Sequence, residues 1–346
     1  MRRYLLRFLA VLLCVGGLSP GDAQAGQAFT AEMADAANGF LRTLGPAADK
    51  ARFAFTDDER FDWHFTPRRR DGVAIRDMDD TQRSALKRLM RTTLSSPGIL
   101  KAEAIMALEA VLAEIEGSSL SYRDPENYLI STFGTPGTFP WGWRLEGHHL
   151  SINVTVSTKT DVSITPTFMG TNPARIPSGP RAGQRVQYDE FIIALRLVRS
   201  LSAEQKTRAT ISDRSLGSLV AGPGRGGAPE KKQGLAVSEM SRAQRVLLTQ
   251  LISAYVGIAR DRIGLPYMKL VEAGMDETSF AWAGPVSEVE PFYYRIHGPR
   301  ILIEFDNSQG GGNHIHSLWR DPENDFGRDD LHRHYKNAPL AHGHKP

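Results

Sequence analysis

Cysteine is almost absent from this chain of 346 residues, because Cys14 is the only one. It lies in an N-terminal segment that we expect to be removed, so the mature chain has no cysteine. A disulfide framework, a thiolate nucleophile and a cysteine-ligated metal are therefore excluded for the mature protein. Stability has to come from an ordinary core, and a hydrophobic content of 41% can supply one or two of them.

The chain also lacks a strong excess of either charge. It has 42 basic and 39 acidic residues, for a net charge of +3. Three of the arginines and one aspartate lie in the first 25 residues, so 39 basic and 38 acidic residues remain after them. A nearly neutral mature chain gives no support to nucleic-acid binding, and we expect no nucleic-acid partner.

Long apolar runs are missing as well. Residues 8–15 are apolar but too few to span a bilayer, and no later stretch is long enough, so we expect no stable membrane span. Arginines precede this run, and a small-x-small pattern ends at Ala25, which is typical of a signal peptide over residues 1–25. We expect a periplasmic or secreted protein. A lipidated Cys14 is the alternative, although Leu13 is bulky for that position.

Weak internal similarity runs through the mature chain. Residues 71–78 resemble residues 233–240, and residues 143–154 resemble residues 294–305 as strand, glycine turn and strand. These matches predict an α+β fold with one domain over 26–334, in which two pseudo-repeats (about 38–190 and 191–334) pair their hairpins into one sheet covered by helices. Chance likeness between amphipathic helices and between hairpins is the alternative.

Helical spacing of apolar residues predicts three helices with the clearest signal, over residues 81–90, 102–116 and 242–260. The Pro97-Gly98 pair is expected to interrupt the first two. Residues 221–234 are rich in glycine and charge, which predicts a surface loop, and residues 335–346 predict a flexible tail that contains histidines.

Histidines occur in two informative pairs. His314 and His316 are two residues apart, so on a strand they face the same side and can share one metal ion. His148 and His149 are adjacent, so on a strand they face opposite sides and only one of them is expected to reach a given metal. Histidines with carboxylates suit zinc, copper or iron, whereas a metal-free polar hairpin or pocket is the alternative.

Carboxylates occur close to both histidine pairs. Glu304 and Asp306 alternate onto one face of their strand, and a glycine run separates them from His314, which predicts a hairpin that places a carboxylate opposite the histidines. We expect Asp306 to serve as a metal ligand, and Glu146 or Glu304 as a general base. Two neighbouring carboxylates that face inward require a cation, a proton or arginine partners.

Three further residues are candidates for substrate binding. Arg320 and Arg328 follow the histidine strand and can clamp an anionic substrate, although the surrounding Asp-Pro-Glu pattern also suits a helix start. Trp143 is one of several aromatic residues that flank the hairpins; core packing explains most of them, and one or two can line a pocket.

Several of these segments together resemble the domain-of-unknown-function 3500 family. They are Trp-Gly-Trp-Arg-Leu-Glu-Gly-His-His-Leu-Ser (141–151), Pro-Thr-Phe-Met-Gly-Thr-Asn-Pro (166–173), Phe-Ala-Trp-Ala-Gly (280–284), Tyr-Arg-Ile-His-Gly-Pro (294–299), Ile-Glu-Phe-Asp-Asn (303–307) and the segment from Asn-His-Ile-His-Ser-Leu-Trp-Arg to Asp-Phe-Gly (313–327). The resemblance covers nearly the whole mature chain and implies an exported protein with a single shared architecture. It implies no particular reaction.

The residues therefore predict an exported metal-dependent enzyme, with hydrolysis as the preferred reaction and a small-molecule or polymer substrate of unknown identity. Two alternatives use the same ligands: a copper or iron redox enzyme, and a protein that binds metal or a small ligand without catalysis.

Overall fold

The protein consists of helices and one large mixed sheet, which agrees with the α+β class predicted from the sequence. The computed structural model describes residues 20–225 and 227–337. The helices in these residues are α1 (Pro20–Leu44), α2 (Asp80–Thr93), α3 (Ser96–Glu116), α4 (Tyr188–Ser200), α5 (Ala203–Ala209), α6 (Arg242–Val256), α7 (Asp261–Ala273) and α8 (Arg328–Asn337).

The described residues form thirteen strands, and all of them belong to one sheet. They are β1 (Arg52–Phe53), β2 (Val73–Ala74), β3 (Leu129–Phe133), β4 (Trp141–Gly147), β5 (Leu150–Val156), β6 (Val162–Ser163), β7 (Thr167–Thr171), β8 (Thr210–Ser212), β9 (Leu235–Ala236), β10 (Ser279–Ala283), β11 (Tyr293–His297), β12 (Leu302–Gln309) and β13 (His314–Arg320). The main order is β1-β3-β4-β5-β7-β13-β12-β11-β10-β8, while β2, β6 and β9 pair with β3, β5 and β10.

The main strand order is similar from either edge of the sheet, although β6, which pairs with β5, has no counterpart among the described residues of the second half. At one edge β1 runs parallel to β3, and at the other β8 runs parallel to β10. The short strands β2 and β9 pair antiparallel with β3 and β10 in the same way. The two central strands, β7 and β13, are antiparallel to each other, so the middle of the sheet joins the first half of the chain to the second.

Polar motifs fix where helices α2 and α6 begin. At α2 the Asp79 carboxylate accepts a hydrogen bond from the Gln82 N–H (2.8 Å), and the Gln82 side chain accepts one from the Asp79 N–H (3.0 Å). Ser241 and Gln244 form the same reciprocal cap at α6. These caps satisfy N–H groups that a first helical turn leaves without partners, so the short sequence motif determines the start of each helix.

The three helices expected from apolar spacing are present, with shifted ends. Residues 81–90 lie in α2 and residues 102–116 lie in α3. The expected interruption at Pro97-Gly98 is wrong in position, because α3 begins at Ser96 and places this proline in its first turn, where no N–H is needed. The helix expected over 242–260 ends at Val256, before Gly257.

The two faces of the sheet are covered by different parts of the chain. Ile303 and Phe305 of β12 pack into the main core, which includes residues of α1, α2, α3, α4 and α6. Leu302 points to the opposite face and packs with Trp63 and Leu219, which lie outside the helices and strands. We call this second side the loop face. Since side chains alternate along a strand, Glu304 and Asp306 also belong to the loop face.

Two expected segments lie mostly outside the described residues. Residues 1–19 of the expected signal peptide are outside them, and residues 20–25 open α1. Residues 338–346 of the expected tail are also outside, while residues 335–337 close α8. None of the helices in the described ranges combines the length and apolar character needed to cross a membrane.

Candidate metal centre

Three histidines from distant parts of the chain meet on the loop face. His314 and His316 lie on β13, two residues apart as predicted, and His149 lies in the turn between β4 and β5. The ring centroids are 4.7 Å apart for His149 and His314, 5.3 Å for His149 and His316, and 4.6 Å for His314 and His316. Each offers a ligand nitrogen within 4.8 Å of the other two. We call these three residues the histidine cluster.

The turn that carries His149 has an unusual backbone. His149 has a φ of 60°, in the left-handed region that costs an L-residue about 1–2 kcal/mol. Two hydrogen bonds hold this conformation: the His149 N–H donates to the Phe65 carbonyl (2.9 Å), and the His149 carbonyl accepts from Gly170 (2.8 Å). A strained residue held by its surroundings is typical of a functional site.

The conformation of this turn also decides where His148 lies. The expectation that the adjacent histidines face opposite sides is wrong, because both residues belong to a turn and not to a strand. Their rings stack with centroids 3.8 Å apart. His148 therefore lies against the histidine cluster instead of across the sheet from it.

Gly170 makes room for the cluster. It lies on β7 opposite His316 of β13, and it bonds to the His149 carbonyl. A Cβ at this position would lie 2.8 Å from the Ile315 carbonyl oxygen and 3.2 Å from Cδ2 of His149. Only a glycine lets β7 bring the β4–β5 turn this close to β13 without moving a neighbour.

Burial keeps the histidine cluster uncharged at neutral pH. It lowers the pKa of His149 well below its ordinary value, and the neighbouring histidines lower it further. Burial and the neighbouring histidines also lower the pKa of His314 to about 3. Burial and His148 lower the pKa of His316 to about 4. Neutral imidazoles are the form that binds metal ions.

The spacing of the nitrogens is close to that of a metal site. Nε2 of His149 and Nε2 of His314 are 2.9 Å apart and share a hydrogen bond. Two nitrogens that bind one zinc ion at about 2.0–2.1 Å with tetrahedral geometry lie about 3.3–3.4 Å apart. A shift of a few tenths of an ångström converts the hydrogen-bonded pair into a pair of ligands.

Glu109 is a site residue that the sequence reasoning missed. It lies on α3, is 4% exposed, and its Oε1 is 2.5 Å from Nδ1 of His148. Because a carboxylate accepts, Nδ1 of His148 carries the proton in this contact. Glu109, His148 and His149 also offer ligand atoms within 4.8 Å of one another, so this buried histidine and glutamate group can hold a metal ion.

One signal for Glu109 was available in the sequence. Leu108, Val111 and Leu112 on the same helix are buried, and Glu109 lies among them. A carboxylate within the apolar surface of a helix needs a partner. The identity of that partner was not accessible, because His148 is 39 residues away.

Asp306 and Glu304 lie where the hairpin prediction placed them but have other partners. Asp306 is directly opposite His316, yet its carboxylate accepts hydrogen bonds from Ser215 Oγ (2.6 Å) and Ser308 Oγ (2.5 Å). Glu304 accepts from two N–H groups of residues 220 and 221 and from the Tyr293 hydroxyl. Both carboxylates hold loops against the sheet. Neither belongs to the histidine cluster or to the group of Glu109, His148 and His149. Their roles as ligand and base stay predictions.

Glu146 lies in a buried ion-pair network. Its Oε1 is 3.0 Å from Arg144 Nη2, and its Oε2 is 3.7 Å from Arg70 Nε. The His64 N–H also donates to Oε2 (3.0 Å). These contacts occupy both oxygens of the carboxylate, and the proposed role of Glu146 as a base stays a prediction.

Trp143 lies apart from Arg320 and Arg328, the other two residues that were expected to bind substrate. Trp143 is fully buried in the main core, where the sheet packs against the helices. Arg320 and Arg328 line one cavity of about 500 Å3 at the end of β13. Arg320 pairs there with Asp325.

A different cavity, of about 360 Å3, opens beside the cluster. His148 and Glu109 line it together with Arg68, Arg70 and Arg123. A molecule in this cavity therefore meets His148 before the more deeply buried histidines.

Fold and site together define an α+β protein with a buried histidine and glutamate group beside β7 and β13, the two central strands of its sheet. The chain belongs to the family described as "Protein of unknown function (DUF3500)", which matches residues 26–328. This confirms the resemblance inferred from the sequence motifs. No match was found among curated proteins or among solved structures.

Proposed function

We propose that this protein is a metal-dependent enzyme, with the ion held by the histidine cluster and hydrolysis as its reaction. The observation that carries the proposal is the convergence of three neutral histidines, His149, His314 and His316, within 4.8 Å. Three nitrogen ligands leave a further position open for water, which is typical of catalytic zinc sites. Copper and iron also accept such ligands.

The His148–Glu109 pair is the proposed acid–base group. In the neutral form of His148, Nε2 carries the lone pair because Nδ1–H donates to Glu109, and the ring stacks on His149. A bound metal supplies hydrolytic chemistry by lowering the pKa of its water. His148 would act as the base through Nε2, while Glu109 orients the ring and would stabilise its charged form.

A redox enzyme is the second candidate, and one observation favours it. Glu109, His148 and His149 are a carboxylate and two histidines with convergent ligand atoms. Two histidines and one carboxylate are the usual ligands of non-haem iron(II) oxygenases. An ion in this set would use the same cavity but would make His148 a ligand instead of a base.

We further propose export and internal duplication. The pattern over residues 1–25 supports a signal peptide and a periplasmic or secreted location. The strand order that reads alike from both edges supports duplication, as do the matching caps Asp79/Gln82 and Ser241/Gln244. The two halves differ at the site, since Pro299 occupies the position that corresponds to His148.

Metal content of the untagged chain tests the proposal. We expect about one zinc, copper or iron ion per chain in the parent, and none in the His314→Ala/His316→Ala variant, because two of three ligands are gone. The matched control is His342→Ala/His344→Ala, which removes two histidines from the tail and should keep the ion.

The identity of the ion separates the two candidates. A colourless zinc protein supports hydrolysis, whereas a coloured copper or iron protein supports redox chemistry. An equal metal content in the parent and in a folded His314→Ala/His316→Ala variant would contradict the proposed centre.

A further inference from the structure

A second cavity lies on the loop face, away from the histidine cluster. Its volume is about 500 Å3, and its lining includes Arg60, Phe61, Arg320, Phe326 and Arg328. Arg320 is four residues beyond His316 on β13, so it lies roughly 13 Å from that histidine along the strand. A small molecule in this cavity does not reach the metal ligands, so the cavity is a site of its own.

Arg60 is a buried cation without a carboxylate partner. It is 5% exposed, and one Nη donates to the Phe326 carbonyl (2.8 Å). Its Nε is buried and has no hydrogen-bond partner, and no carboxylate of the described residues pairs with it. Burial of a guanidinium group without a paired anion costs free energy, so an anion bound at this site would stabilise it.

Aromatic rings surround the Arg60 guanidinium. Its carbon is 4.1 Å from the ring centroid of Phe55, 4.6 Å from that of Phe61 and 5.8 Å from that of Phe326. These contacts offset part of the desolvation of the charge. Burial lowers the pKa of Arg60 to about 10, which still leaves the side chain charged at neutral pH.

A second arginine of the cavity also lacks a carboxylate. Arg328 is exposed and donates to the carbonyls of Pro322 and Glu323. Arg320, in contrast, is neutralised by Asp325. Two uncompensated guanidinium groups therefore line the cavity within the described part of the chain.

Phe326 is held in a strained conformation at the cavity wall. Its φ is 56°, and its N–H donates to the Thr165 carbonyl (2.7 Å). The next residue, Gly327, has a φ of 70°, and a Cβ there would lie 2.4 Å from Ser157 Oγ. The backbone is thus fixed so that the Phe326 carbonyl and ring both meet Arg60.

We propose that this cavity binds an organic carboxylate with an aromatic body, through Arg60 and Arg328 for the charge and Phe61 and Phe326 for the ring. Guanidinium groups recognise carboxylates by paired, charge-assisted hydrogen bonds. The Phe61 and Phe326 rings pack edge to face with centroids 5.1 Å apart, and Phe61 is 51% exposed. This apolar wall next to two cations distinguishes the site from one for a simple inorganic anion.

Calorimetric titration of the full chain with benzoate tests the proposal. We expect a dissociation constant of roughly 1 mM or tighter, which is in the range for a ligand of this size. Benzamide has the same ring without the charge and should bind at least about tenfold more weakly. Absence of benzoate binding, or equal binding of benzamide, overturns the proposal.

Two variants locate the binding. Arg60→Met should weaken benzoate binding roughly 10- to 100-fold, and Arg328→Ala should weaken it several-fold. Arg245→Ala, on α6 and paired with Asp276, is the matched control and should leave it unchanged. Arg328 is on the surface, so Arg328→Ala is expected to fold. It therefore still tests the proposal if Arg60→Met does not fold. Parent-like binding in a folded Arg60→Met or in Arg328→Ala overturns the proposal.

Discussion

His149 combines a strained backbone with a ring that touches every other histidine of the site. Its φ of 60° stacks its ring on His148 and places Nε2 within 2.9 Å of His314. Sequence spacing identified His314 and His316 correctly as one pair on one strand face. It placed His148 and His149 on opposite faces because nothing in the sequence revealed the hydrogen bonds that force the turn.

Substitution of His149 by asparagine separates metal binding from folding. Asparagine tolerates the left-handed region well, so the turn should form as in the parent. The lost ligand should weaken zinc binding more than roughly 100-fold, beyond the 10- to 100-fold usual for residues that only support a ligand. Competition with a zinc chelator measures the affinity. Parent-like affinity in His149→Asn would exclude this residue as a ligand.

Glu109 distinguishes the two possible sets of ligands. If the ion sits on the histidine cluster, Glu109→Gln should keep the full metal content, because the glutamine only replaces the partner of His148. Glu116→Gln is the matched control, since Glu116 lies on the same helix and pairs with Arg123. Loss of the metal in Glu109→Gln alone would place the ion on the carboxylate set and favour the redox candidate.

The β12–β13 hairpin is the element that the sequence predicted best. A carboxylate strand, a glycine run and a His-x-His strand do form a hairpin, with Asp306 opposite His316. What the sequence did not predict is the position of β7, which enters the sheet between β5 and β13. That pairing joins residues more than 140 positions apart, and no local pattern encodes it.

Gly170 tests the importance of β7 for the site. Gly170→Ala adds a Cβ 2.8 Å from the Ile315 carbonyl oxygen and 3.2 Å from His149. Such overpacking should lower the free energy of unfolding by about 1–3 kcal/mol, and zinc affinity should fall with it. Gly222→Ala is the control, because its nearest neighbour would be 3.8 Å away. Urea unfolding of the metal-free proteins measures the difference; equal stability would show that β7 does not constrain the cluster.

At the scale of the molecule, composition and periodicity predicted the α+β class and the main helices. They worked because amphipathic spacing and polar caps are local signals, as at Asp79 and Ser241. The separation of the sheet into a helix-covered face and a loop face was not predicted. The loop face is covered by residues such as Trp63 and Leu219. These residues lie in irregular segments, whose sequences show neither helical nor strand periodicity.

His297 contributes to the pH dependence of the stability separately from the histidine cluster. Burial, Arg295 and Lys232 lower its pKa to about 4, and its Nδ1 is buried without a hydrogen-bond partner. The unfolded chain takes up a proton near pH 6.5, so this stabilisation is complete above that value and is lost as the pH falls toward 4. Between pH 7 and pH 5 the loss due to His297 should be about 2 kcal/mol.

Urea unfolding at these two pH values checks the prediction. The parent should lose about 2 kcal/mol more than His297→Gln between pH 7 and pH 5. His332→Gln, at an exposed position on α8, should behave like the parent. An identical pH dependence in the parent and in His297→Gln would show that His297 does not contribute.

The position of the bound ion tests the central claim most directly. Crystals of the untagged chain grown with zinc, measured on both sides of the zinc absorption edge, give an anomalous difference map. We expect one strong peak about 2.0–2.1 Å from a ring nitrogen of each of His149, His314 and His316. A peak bound by Glu109 and His148 instead, or no peak at the histidine cluster, would contradict the proposed centre.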